Sequence, residues 1–270
     1  MVTDGHNHTK HFSVDAGQTI DELISAAKEM GFPRIGITEH YEIDFPDDGL
    51  NWMFDLEEYN KVFPEWQAKA GELELLKGIE FGYQTHVAKD IDETASKIPF
   101  DVVLLSVHLF EGKDFYVHRD CYKLPAKELH RRYMSMMAEM CENCDNYDVA
   151  AHYDYINRYT DNKNDFMTYD ECPEEYDRFF EALISKGKAL EINTKSIFKH
   201  KEGGFSRTLP DPEIIKRYKA MGGNMICFGS DSHFPGTLGV CFNEGVEFIK
   251  SLGFTESVYF KDRKPYFEPL

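Results

Sequence analysis

Long apolar runs are missing from this chain. The longest, such as Val102-Val103-Leu104-Leu105, fall far short of the roughly 20 residues that a membrane-spanning helix needs. Basic residues are outnumbered: 30 Lys+Arg against 48 Asp+Glu leave a net charge of −18. Such a surface repels nucleic-acid backbones and excludes sequence-independent DNA binding without bound cations. Cysteine is sparse, and Cys121, Cys141, Cys144, Cys172, Cys227 and Cys241 form no regular disulfide framework. Reduced thiols in a reducing compartment are the expectation. Cys141-Glu-Asn-Cys144 lacks the second pair that a zinc site would need and reads as helix-surface thiols. Met1–His6 carries neither a basic nor an apolar signal region, so a soluble, cytoplasmic protein is expected. No repeat, low-complexity tract or linker divides the 270 residues, which read as one domain over 1–270.

Hydrophobic residues, at 42%, and aromatics, at 14%, are ample for a packed core and exclude disorder. They are arranged as seven strand-then-helix units. Strands are predicted at Val2–His8, Arg34–His40, Leu75–Phe81, Asp101–His108, Asp148–His152, Ala189–Asn193 and Met225–Asp231. Helical patterns follow them at Ile20–Met30, Leu56–Ala70, Val87–Lys97, Pro125–Cys144, Pro173–Lys186, Pro212–Met221 and Thr237–Leu252. Thr19 with Glu22 three residues on marks a capping box at the first helix. Regular alternation implies an α/β fold with a parallel sheet and crossover helices. Closure would give a TIM-like barrel. An open doubly wound sheet is the competitor, and periodicity does not choose between them.

The polar residues are more telling. The predicted strands end in His6-Asn7-His8, Glu39-His40, Glu80, His108, His152, Glu191 with Asn193, and Asp231-Ser232-His233. In parallel α/β folds the functional groups gather at the C-terminal strand ends. A lone histidine there is usually an ordinary hydrogen-bonded polar residue. Six of the 11 histidines at equivalent ends of five strands are harder to explain that way. Imidazoles mixed with carboxylates suit Zn, Mn or Fe, whereas magnesium prefers oxygen alone. His6 and His8, two apart on a strand, face the same side, into the barrel mouth. A polynuclear metal site is therefore expected.

Asp4-Gly5-His6-Asn7-His8, Thr38-Glu39-His40, Gly78-Ile79-Glu80, Ser106-Val107-His108, Ala151–Asp154 and Gly229–His233 resemble the ordered motifs of the PHP (polymerase and histidinol phosphatase) superfamily. Leu190–Thr194 and Gly253-Phe254 resemble its histidinol-phosphate phosphatase branch. The resemblance runs from about Asp4 to Pro265. It implies a distorted (β/α)7 barrel holding three divalent metals. Carried over by position, the ligands would be His6, His8, Asp15, His40, Glu80, His108, His152, Asp231 and His233, with Glu80 bridging two metals. In the first loop His11 is the rival of Asp15.

The implied reaction is hydrolysis of a small phosphate monoester, L-histidinol phosphate first among them, by a hydroxide activated in the metal site. Glu80, Asp231 and His233 would serve catalysis directly. Three divalent cations would make the site cationic inside an acidic chain. Arg158 and Arg207 follow different strands on the catalytic side and could grip one phosphate, with His200 beside them and Arg119 and His118 ranked lower. Each could equally be a surface residue. For the cationic end of such a substrate, Glu42, Asp44, Phe45, Trp52 and Tyr83 are available. The alternatives are another PHP-type phosphoesterase (a nucleotide phosphatase, a phosphodiesterase or exonuclease, or a phosphotyrosine phosphatase), an amidohydrolase-type enzyme, or a non-catalytic metal-stabilised scaffold. A small phosphorylated substrate is the expected partner, with no nucleic acid and no membrane.

Overall fold

The computed structural model describes residues 2–46, 49–160, 166–202 and 210–270, with 199–202 given by backbone alone. In chain order its first half contains α1 (Ile20–Met30), β1 (Arg34–Tyr41), α2 (Leu56–Ala70), β2 (Glu74–Gly82), α3 (Ala88–Thr94) and β3 (Val102–Ser106). Then come the short hairpin β4 (Leu109–Phe110) and β5 (Lys113–Asp114), α4 (Ala126–Asn143) and β6 (Val149–Ala150). The second half adds α5 (Pro173–Lys186), β7 (Ala189–Asn193), α6 (Thr194–Glu202), α7 (Pro212–Ala220), β8 (Ile226–Gly229) and α8 (Phe242–Ser251). A terminal hairpin, β9 (Glu256–Lys261) and β10 (Lys264–Pro269), completes the chain. No helix among the described residues is long and apolar enough to cross a membrane.

Local chemistry explains the boundaries. The Thr19–Glu22 capping box starts α1, whose buried stripe is Ile20, Leu23, Ile24 and Ala27. Gly31, at φ 77°, ends it in the left-handed region open to glycine. β3 is buried along its whole length, as its unbroken apolar run predicts.

The strands form one parallel sheet in the order β1-β2-β3-β6-β7-β8. Val2–His8, predicted as a strand, makes isolated bridges instead of a ladder. Asp4 pairs with Ile35 on one edge of the sheet and with Phe228 on the other, and Asn7 pairs with Ser232. The segment thus draws both edges together into a distorted (β/α)7 barrel. The approach is close enough that a Cβ on Gly36 would overlap the Gly5 carbonyl. The Asp4 carboxylate, fully buried, accepts from the Ser230 and Gly239 amides and from the Asn7 side chain. Burial outweighs these donors and pushes it up to about 6.

The N-terminal end of the barrel is plugged. Val258 and Phe260 of β9 pack inside against Val102, Leu104, Val149 and Cys227. Each such side chain stabilises the fold by about 1.5–3 kcal/mol through area removed from water. Arg34 to Glu268, Lys261 to Glu74 and Arg263 to Asp148 tie the hairpin down around this plug. With that end filled, a large cavity opens at the opposite one, at the C-terminal strand ends.

Several expectations need correction. The terminal hairpin and α6 were not anticipated. The strand predicted at Asp148–His152 is cut to Val149–Ala150, and the last helix starts at Phe242, not Thr237. The six cysteines form no disulfide, as expected, but Cys141 and Cys144 are buried and are not surface thiols. Cys141 continues the Met134–Met137 stripe of α4 into the core.

Candidate active site

Sheet register brings the polar strand ends to one level. His40 of β1 lies opposite Glu80 of β2, and Glu80 lies opposite Leu104, so His108 emerges just beyond β3. Glu80 is the hub. Its Oε2 is 2.9 Å from His40 Nδ1, 3.2 Å from His6 Nε2 and 3.5 Å from His8 Nε2. Its Oε1 is 2.9 Å from His152 Nε2 and 3.3 Å from His108 Nε2, and also accepts from the Ser106 hydroxyl. Asp231 lies across from it, with Oδ1 3.5 Å from His8 Nε2 and 3.2 Å from His233 Nδ1. Asp15 Oδ2 completes the ring, 3.3 Å from His233 Nε2 and 3.6 Å from His40 Nε2.

Other carboxylates stand behind the histidines. Glu191 Oε1 is 2.7 Å from His6 Nδ1, and its other oxygen accepts from the His152 amide. Glu42 Oε1 is 2.5 Å from His108 Nδ1, in space that a Cβ on Gly82 would fill. Glu39 is buried and accepts from Thr9 and Ser13, yet burial pushes it up to about 7.

The charges are strongly coupled. Burial would raise Glu80, but His6, His108 and His40 hold it well below the usual carboxylate range. Burial likewise opposes the ionisation of Asp231, and Lys195 and Arg158 overcome it. Burial, then His40 and His233, pull His8 well below the ordinary imidazole value, and burial brings His152 to about 4. His6 and His108 go the other way: burial lowers them, and the carboxylates around each more than reverse it.

The donor set fits metal ions. His6 Nε2, His8 Nε2, His40 Nδ1 and Glu80 Oε2 are buried and crowd one another at 2.9–3.5 Å without the alignment that a hydrogen bond needs. Leaving four polar atoms unsatisfied in one place is costly unless something else binds them. Ligand atoms within 4.8 Å of one another form four overlapping groups: His8, His40 and His233; His6, His152 and Asp231; His6, His8 and Glu80; His40, Glu80 and His108. Shared members make the arrangement polynuclear in shape, with nitrogen and carboxylate donors suited to zinc.

Above this floor opens a cavity of about 560 Å³, walled by Phe45, Trp52, Tyr116, Tyr155, Arg158 and Lys195. Arg158 is buried beneath the rim, not on it. Its Nη1 is 2.6 Å from Asp231 Oδ2, Nε reaches Ser196, and its guanidinium lies over Tyr155. All nine positions read as ligands meet at this floor. Of the two first-loop candidates, Asp15 reaches His40 and His233, whereas His11 packs edge-on against Trp66. Glu42, Phe45, Trp52 and His118 line the cavity. Asp44 and Tyr83 do not: Asp44 pairs with His86, and Tyr83 is buried against Glu139 and Asn143. Arg119 sits in the turn Arg119–Lys123, outside the lining. Arg207 and the side chain of His200 lie outside the described residues.

Sequence reasoning missed Lys195. Its Nζ donates to the Asp231 carbonyl at 3.0 Å and lies 3.3 Å from His233 Nδ1. The signal was its place two residues past Asn193, at the C-terminal end of a predicted strand.

The PHP domain model matches residues 4–195. The chain belongs to the PHP family, in its histidinol-phosphatase branch. A relative from Clostridium acetobutylicum described as a probable histidinol-phosphatase is 30% identical over 264 residues, 97% of this chain and 98% of its own. The histidinol-phosphatase of Lactococcus lactis is 28% identical over 97% of this chain and 95% of its own. The crystal structure of the Lactococcus lactis histidinol phosphate phosphatase, complexed with zinc, L-histidinol and phosphate, superposes with a TM-score of 0.86 at 28% identity, covering 98% of both chains. Against the tyrosine phosphatases of Bacillus subtilis and Streptococcus pneumoniae the TM-score is 0.50 at 16% identity, a likeness of PHP fold alone.

Proposed function

We propose that this chain hydrolyses L-histidinol phosphate to L-histidinol and phosphate. The observation that carries this reading is the convergence of four unpartnered, buried donor atoms at the floor of a cavity whose wall presents Arg158 and Lys195. Three divalent ions, of Zn, Mn or Fe, would be held by His6, His8, Asp15, His40, Glu80, His108, His152, Asp231 and His233. When bound, such ions acidify a water and neutralise phosphoryl oxygens.

The protein's own groups do the rest. Glu80 offers an oxygen to each side of the centre and so spaces the ligands. Asp231, held ionised by Lys195 and Arg158, faces His8 and His233 from the opposite wall. Glu80, Asp231 and His233 would border the reacting phosphoryl group. Arg158 spends Nη1 on Asp231, while Nη2 is buried with no partner and is free to donate to a phosphate oxygen. Lys195 adds a second cation on the same wall. Arg207 and His200 stay in the proposal as further phosphate contacts. Phe45, Trp52 and Glu42 suit the imidazole and amine of the organic end.

The whole of 1–270 would act as one domain, since Asp231 and His233 lie beyond residue 195. It would act in the cytoplasm, where its free thiols stay reduced. The deciding experiment is phosphate release by zinc- or manganese-loaded protein from L-histidinol phosphate, phosphotyrosine and a dinucleotide, side by side. A kcat/KM for histidinol phosphate no higher than for the other two would overturn the reading.

A further inference from the structure

His6 and His108 each meet a carboxylate at Nδ1, whereas for His8 the group behind Nδ1 is a hydroxyl. Ser13 Oγ lies 3.2 Å from His8 Nδ1, 2.6 Å from Glu39 Oε2 and 3.0 Å from the His40 amide nitrogen. All of these residues are buried.

A serine hydroxyl has one proton to give and two lone pairs to receive. Three donors, the Thr9 amide, the Thr9 hydroxyl and the Ser13 hydroxyl, converge on Glu39, an arrangement that Glu39 accepts as a carboxylate. The Ser13 proton therefore goes to Glu39. The His40 amide, an obligate donor, occupies one lone pair of Ser13. What remains is the second lone pair, and it faces His8 Nδ1. That contact is a hydrogen bond only if Nδ1 carries the proton. His8 Nε2 is then left bare, and it is one of the four unpartnered atoms at the floor.

We propose that Ser13 and Glu39 form a proton-orienting relay that fixes His8 as the Nδ1–H tautomer and commits its Nε2 to the metal centre. Ser13 is a positioning residue. Through the His40 amide it also ties the loop after His8 to the end of β1, so that two neighbouring ligands share one support. The rings of His8 and His40 stack at 4.1 Å, which leaves His8 little freedom to flip without disturbing His40. The relay rests on the proposed metal-binding role of His8. Substitutions behind a metal ligand typically weaken affinity about 10- to 100-fold.

The test uses the full chain labelled with ¹⁵N-histidine, observed before and after zinc loading, with His8→Asn serving only to assign the His8 signals. Two-bond ¹H–¹⁵N spectra are expected to show His8 with a proton on Nδ1 and a zinc-dependent shift at Nε2. Chelator competition should then show one zinc equivalent about 10- to 100-fold weaker in Ser13→Ala. Ser13→Thr, which keeps the hydroxyl, should recover most of that loss. A zinc-dependent shift at His8 Nδ1, or unchanged zinc affinity in Ser13→Ala, overturns the relay while leaving His8 a ligand. Absence of any zinc-dependent shift at His8 removes the ligand assignment itself, and the relay with it. The spectra of the unsubstituted protein keep the proposal open to refutation even if Ser13→Ala fails to fold.

Discussion

Arg158 and Asp231 form a buried ion pair, Nη1 to Oδ2 at 2.6 Å, in which one end of the guanidinium is spent and the other is not. The arginine thus holds a proposed metal ligand with one nitrogen and keeps the next unpartnered, in a side chain that lines the cavity. Its two roles separate by experiment.

Arg158→Ala should lower kcat/KM for histidinol phosphate about 10- to 100-fold, the value of a partly shielded guanidinium–phosphate contact of about 1.5–3 kcal/mol. Inhibition by free phosphate should weaken in parallel. Because the substitution also strands a buried carboxylate, the metal-free variant should melt lower than the wild type. Metal loading should recover much of that difference. Arg158→Lys should rescue only in part, since a point charge does not reproduce the fork. Steady-state kinetics with and without phosphate, and melts with and without zinc, check this.

Glu80→Gln keeps the shape of the hub and removes its charge. Metal content and kcat should fall together, kcat by more than about 100-fold, because ligation and ligand spacing are lost at once. Metal analysis beside turnover decides the matter. Full metal content at full rate would reduce Glu80 to a buried carboxylate at the edge of the core.

Chelation should abolish activity, and added zinc or manganese should restore it. Imidazole ligates only when neutral, so metal affinity should rise with pH, and its loss on acidification should set in above the ordinary imidazole value of about 6.5. Carboxylates hold His6 and His108 well above the ordinary imidazole value without metal. Metal entry should therefore displace protons from them. Titration calorimetry in buffers of different ionisation enthalpy measures that release directly.

Stability in acid should depend on the ties around the terminal hairpin. Burial would raise Glu74, but Lys261 and Arg34 depress it below the usual carboxylate value. A depressed carboxylate adds stability above its unfolded value, near pH 4.5, and loses it as pH falls further. Glu74 is partly exposed, so the contribution should be below about 1 kcal/mol. Glu74→Gln should lower the melting temperature slightly at pH 7, and the difference should shrink progressively as pH falls below about 4.5.

The strand ends carried most of the information about the site because apolar runs stop there at His or Glu. His40, Glu80, His108 and His152 could be placed from that pattern alone. Asp15 was harder, since it sits in a loop without periodicity, and only the fold shows it reaching His40 and His233. Lys195 escaped because α6 begins directly at the end of β7, with no linker to mark a helix start. The terminal hairpin escaped for a different reason. Its two-residue turn is Asp262-Arg263, both at positive φ, 50° and 62°. Such turns usually advertise themselves with Asn-Gly or Asp-Gly, and here an arginine occupies the position expected for glycine.

The segment around Asp4 has a consequence for the timing of assembly. It is paired on one side with a strand that follows it closely and on the other with residues 226 positions later. Contacts of such long range form late, after the entropy of closing the loop has been overcome. On a ribosome, His6 and His8 emerge more than 200 residues ahead of Asp231 and His233 and then wait for them. Throughout that interval the nascent chain carries an incomplete chelator, and capture of a full complement of metal has to await closure of the barrel.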